Sequence, residues 1–230
     1  MNTKTTILSF ECTFEGYLSA VYTAFHDKLE VIGLRPEKDK TALLFHEVRF
    51  IPSNRQKARR VWDALAQKGT ADLRLVYFAF LSENEELLFP IYEFICLLFR
   101  EEHPESSKKM RALRSKLASW AQRVEDEKRK MEVTLRSRSP FGESVCFRLR
   151  PTYDVLPLLT RYCRLHFGSA PWILMDTKRK YGLCKKASGI ECFPLSMESS
   201  GSTANTPNEY WREGEMGLSL QGIPPLQTAV

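Results

Sequence analysis

The sequence predicts an α+β fold, with a helical N-terminal half packed on a mainly antiparallel C-terminal sheet. Three observations predict it. Apolar residues recur at helical spacing through most of residues 13–131. After Met131 the pattern changes to period-two alternation. The chain has 230 residues and is 43% hydrophobic, enough for a buried core. One domain is expected over residues 1–195, followed by an acidic Ser/Gly/Pro-rich tail over 196–230.

Residues 5–11 form a short β-prone run. Helical spacing follows at Phe14, Tyr17, Leu18, Val21, Tyr22 and Phe25, with Thr13 placed to cap it. Val48–Ile51 is a second strand candidate. Pro52-Ser-Asn54 closes it and caps a helix starting near Arg55. That helix puts Ala58, Val61, Trp62 and Leu65 on one face and Arg55, Lys57, Arg59 and Arg60 on the others. Residues 71–81 and 85–100 read as two further helices, and Pro90 fits the first turn of the second. Residues 106–131 read as a long amphipathic helix with a stripe of Met110, Leu113, Leu117, Trp120 and Val124. Around the stripe stand Lys108, Lys109, Arg111, Arg114 and Lys116, with no acid among them.

In the last third, residues 133–136 and 145–149 are expected to pair as strands around a turn at 139–142. Asp154 is expected to cap a helix reaching about His166. Strands follow at 172–176, 181–185 and 191–195. The order is β-β-α-β-β-β. Trp62, Trp120 and Trp172 sit in core phase, so packing is expected of them rather than base stacking.

The formal net charge is +6. It is unevenly spread. Residues 196–230 hold Arg212 against Glu198, Glu209, Glu213 and Glu215, a net of −3, so residues 1–195 carry 33 bases and 24 acids, a net of +9. A basic body of this kind suits a polyanion. Residues 87–99 are too short, and too interrupted by Pro90 and Glu93, to span a bilayer. With no apolar leader at the start, a cytoplasmic protein is expected. The six cysteines show no CxxC pair and the four histidines no metal spacing. There is no Walker loop, dinucleotide fingerprint or nucleophile elbow. No cofactor and no metal are expected.

Three carboxylates are candidates for chemistry. Asp176 ends a strand beside Lys178, Arg179 and Lys180, where it stays ionised and could orient a water or a sugar. Asp154 and Glu127 are the others, Glu127 reading as a surface acid near Lys130. The plainer alternatives are a salt bridge for Asp176 and a helix cap for Asp154.

Several ordered segments carry a family likeness. They are Phe14-Glu-Gly-Tyr-Leu-Ser-Ala-Val21, Lys57-Ala-Arg-Arg-Val-Trp62, Tyr77-x-Ala-Phe-Leu-Ser82, Glu127-Lys-x-x-Met131, Asp154-Val-Leu-Pro-Leu-Leu159, and Trp172-Ile-x-x-Asp176 running into Arg179-Lys-Tyr-Gly182. In this order the chain resembles a bacterial family of DNA metabolism proteins built on a domain of unknown function. The resemblance implies a DNA repair or modification factor that binds DNA and works with a radical-SAM protein encoded nearby. Some relatives are fused to uracil-DNA-glycosylase-like domains. The chain departs from its relatives at Val133-Thr-Leu-Arg136, at Leu183-Cys-Lys185 and in its acidic tail. A base-excision glycosylase or other hydrolase on DNA, using Asp154, Asp176 or Glu127, is the second reading. An adaptor without nucleic-acid contact is the third.

Overall fold

Strand β1 (Thr5–Phe10), helix α1 (Phe14–His26) and strand β2 (Glu30–Pro36) open the chain, and β3 (Glu47–Ile51) completes a three-stranded sheet in the order β2-β1-β3. Both pairings with β1 are parallel. The computed structural model describes residues 5–37, 47–100, 107–137, 145–186 and 189–195. The expected turn at 139–142 and the acidic tail lie outside the described residues. The chain divides into two compact units, Met1–Val124 and Glu125–Val230.

In the first unit, Thr13 caps α1 as its side chain accepts from the Gly16 N–H at 2.9 Å. Gly16 is required there, because a Cβ would come within 2.5 Å of the Glu11 carbonyl oxygen. The Asn54 side chain likewise accepts from the Lys57 N–H at 3.0 Å and starts α2 (Arg55–Lys68). Helices α3 (Thr70–Leu81) and α4 (Leu88–Arg100) follow, the latter behind a 3-10 turn at Glu85–Leu87, with Pro90 in its first turn. The core holds Leu8, Phe10, Tyr17, Leu65, Ile91, Phe94 and Ile95. An edge-to-face pair, Phe10 on Tyr17 at 5.4 Å, joins strand to helix. Trp62 is buried as expected.

Strand β2 has no counterpart among the sequence-based expectations. Its register explains why. Thr6 pairs with Val31 but Ile7 pairs with Gly33, so Ile32 is an extra residue in a bulge. The bulge breaks the alternation that would have marked the strand.

Helix α5 runs from Lys108 to Ser137 without interruption, and the unit boundary falls within it. The strand expected at residues 133–136 is therefore helix. A four-residue alternation is too short to outweigh a helical stripe that continues to Leu135, which is 1% exposed while Val133 is 63% exposed.

The second unit then reads β4 (Val145–Leu149), α6 (Leu156–Phe167), β5 (Trp172–Asp176), β6 (Tyr181–Lys186) and β7 (Gly189–Pro194). The sheet order is β4-β5-β6-β7. The β4–β5 pair is parallel and the other two are antiparallel, so the sheet is mainly antiparallel as expected. Mixed α+β is thus the fold class, and in the mainly helical first half the two expected strands join β2 in a parallel sheet. Trp172 lies in the core.

Candidate functional site

The three candidate carboxylates all reach the loop between β4 and α6 or the β5–β6 hairpin. Asp176 ends β5 and is fully buried. Its Oδ1 accepts from the N–H groups of Lys178 at 2.8 Å and Arg179 at 3.0 Å. Its Oδ2 accepts from Arg179 Nη1 at 2.7 Å. The side chain thus shapes the turn that follows it, where Lys180 is held at φ 59°. Arg179 then donates onward to the carbonyls of Pro151 at 3.3 Å and Thr152 at 2.9 Å. Lys178 Nζ donates to the Thr152 carbonyl at 2.5 Å.

Glu127 approaches the same loop from α5. Its Oε1 accepts from the Thr152 N–H at 2.7 Å, and Oε2 lies 3.8 Å from Lys130 Nζ. The pairing with Lys130 was expected, but Glu127 is 7% exposed and not a surface acid. Asp154 does not cap α6. The residue at that position is Val155, with no side-chain cap. Asp154 accepts instead from the Tyr181 hydroxyl. Burial first, then the charge of Asp154, push the Tyr181 hydroxyl far above the usual phenol range, so it stays a donor. Every one of these carboxylates is held by groups of its own chain. Chemically, the arrangement fixes a loop, a hairpin turn and a helix end to one another.

The basic residues fall into distinct settings. In α5, Lys109 pairs with Glu93 of α4 at 2.7 Å, and Arg114 pairs with Asp72 of α3 at 2.6 Å. The acids absent from the local sequence are supplied by neighbouring helices. Lys108, Arg111 and Lys116 are exposed. Trp120 is half-buried under the Arg123 guanidinium at 4.4 Å. In the second unit Lys178 and Lys180 are exposed and Arg179 is half-buried, with Lys178 and Arg179 bonded to the loop as described.

On α2 the setting differs. Arg55, Arg59 and Arg60 are exposed and Lys57 is half-buried. Arg59 lies 3.6 Å from Asp63 one turn on. Lys57 Nζ and Arg60 Cζ both stand 5.8 Å from the centre of the Tyr22 ring, and Arg60 Nη1 donates to the Tyr22 hydroxyl at 3.0 Å. His26 stacks on Tyr22 at 5.6 Å. Its Nδ1 is 2.9 Å from Asp27 Oδ1, and Asp27 also pairs with Arg49 at 2.8 Å. Hydrogen bonds from His26 and then Arg49 hold the Asp27 carboxyl below its ordinary range. Beside this cluster, α1 and α2 leave an open pocket of about 340 Å³, lined by Tyr22, Phe25, His26, Arg60, Val61, Ala64 and Phe99. Neither Tyr22 nor Phe25 was expected to act. Their place on the apolar stripe of α1 reads as core, yet both are only half-buried.

An α+β protein with an inward-facing carboxylate network and an outward cation–aromatic cluster is the class these features define. The sequence matches a domain of unknown function, DUF4130, over residues 85–213, and the chain belongs to that family. No curated protein matches it. Among solved structures it is similar to RecJ from Thermus thermophilus, crystallised with Mn2+, at 8% identity and a TM-score of 0.39. The alignment covers 80% of this chain and 45% of that one, so the chain spans less than half of that protein. A likeness at this score carries no argument about function.

Proposed function

We propose that this protein binds nucleic acid as a DNA repair or modification factor, with the outer face of α2 as its principal contact. One observation carries the reading. Two cations in the N-terminal half of α2 converge on an aromatic ring rather than on a carboxylate. A helix N-terminus is already the positive end of the dipole, and a base in the first turn, as Lys57 is, costs about 0.3–1 kcal/mol. The first turn of α2 holds no acid to offset this. Exposed cation–π contact returns about 0.5–1 kcal/mol. For Lys57 the two effects roughly cancel, so stability gives no reason for a base there, whereas phosphate contact does. The first turn of α5 is also without acid.

The carboxylate network favours binding over hydrolysis, because its oxygens are engaged by the chain's own donors. The resemblance adds a radical-SAM protein as partner, which would perform any radical chemistry. The test is fluorescence anisotropy with labelled DNA across a salt series. Affinity should fall linearly on a log–log plot, with a slope of about −0.9 per phosphate contacted on duplex. Arg60→Glu should weaken binding and flatten that slope. Binding that is absent at low salt, or indifferent to salt, refutes the proposal. Co-purification of the two chains from co-expressing cells tests the partner.

A further inference from the structure

We propose that the groove between α1 and α2 receives one unstacked nucleobase of single-stranded DNA. This deepens the reading above and rests on it. The pocket of about 340 Å³ lies at the small end of the range for small-molecule sites, about 300–1,000 Å³. Its lining is mainly apolar. Phe25 and Phe99 form an edge-to-face pair at 5.6 Å, and Val61 and Ala64 of α2 line the groove with them. Its polar atoms come from Tyr22, His26 and Arg60, and some of them are engaged within the chain. The Tyr22 hydroxyl takes a hydrogen bond from Arg60, and His26 Nδ1 is paired with Asp27.

A flat, apolar, uncharged ligand therefore fits the interior, with anionic groups beside it to meet Arg60 and Lys57. A nucleobase on a phosphate backbone has that chemistry. Aromatic walls accept any base by its π-face, so the site discriminates little by sequence. A duplex keeps its bases stacked and offers the groove nothing but phosphates. A single strand can supply both contacts at once.

The experiment compares labelled oligothymidylate with an oligomer of the same length whose central nucleotides are abasic, at low salt and along a salt series. The base-bearing strand should bind about 5- to 150-fold more tightly, the range one stacked base provides. Ala64→Phe, which fills the groove without altering charge, should erase the difference and keep the salt slope. Equal affinity of the unaltered chain for both strands overturns this inference and leaves the nucleic-acid reading standing. No binding of either strand overturns both. If Ala64→Phe does not fold, Phe99→Leu takes its place, and the comparison on the unaltered chain remains decisive.

Discussion

Replacing Asp176 tests whether the carboxylate network is scaffold or chemistry. The side chain is fully buried, accepts two backbone N–H bonds and one from Arg179, and Arg179 is itself only 11% exposed. Asp176→Ala takes the counter-charge from the Arg179 guanidinium, which keeps its carbonyl acceptors, and the acceptor from two turn N–H groups. Breaking a buried pair by removing one partner costs about 3–5 kcal/mol. Asp176→Asn keeps one oxygen for the turn N–H groups but sets an amide against the guanidinium. It forfeits the charge-assisted bond alone, about 1.5–3 kcal/mol. Urea unfolding followed by circular dichroism should rank Ala below Asn below the unaltered chain. Lys180→Ala, an exposed neighbour, should stay within about 0.5 kcal/mol. If both Asp176 variants unfold with the unaltered chain, the scaffold reading is refuted. If Asn is as stable but loses a DNA-directed activity, the carboxylate acts on substrate.

Other outcomes follow from the same geometry. Gly182→Ala should destabilise by about 1–3 kcal/mol in urea melts, because its Cβ would fall 2.9 Å from the Leu174 carbonyl oxygen and closer still to the Phe193 ring. Asn54→Ala should cost about 1 kcal/mol by removing the α2 cap. Burial, with the charge of Glu132 adding to it, pushes the Cys163 thiol from 9.0 up to about 12. The folded value exceeds the unfolded one, so this contribution is whole below pH 9 and lost as pH climbs toward 12. The urea midpoint should fall across that window, and Cys163→Ala should flatten the decline. Thiol titration at neutral pH should find Cys12 reactive in the folded chain, Cys146 slower because burial pushes its thiol up, and Cys163 and Cys184 reactive only after unfolding.

The legible part of the fold was the part written in local periodicity. Helices α1 to α4 and the caps at Thr13 and Asn54 follow from apolar spacing and one polar residue each. Strands β4 to β7 follow from alternation between turn residues. What the sequence withheld depends on pairing at a distance. The bulge at Ile32 hides β2, and parallel pairing with β1 leaves no local mark. Val133-Thr-Leu-Arg136 alternates by accident at the end of a helix. The candidate acids were found by residue type and neighbouring charge, but their hydrogen-bond partners at Thr152 and Tyr181 lie 25 and 27 positions away. Tyr22 and Phe25 were read as core because periodicity reports a face, not how much of it is covered.

Arg179 shows how far a tally of bases departs from what a solution senses. Its guanidinium is spent on Asp176 and two carbonyls, and bulk electrolyte scarcely reaches it. Asp176 is withdrawn along with it, so the pair leaves net charge unchanged and should not by itself shift elution from a cation-exchange column. Retention is set by side chains at the periphery, among them Lys57, Arg60, Lys108 and Arg111.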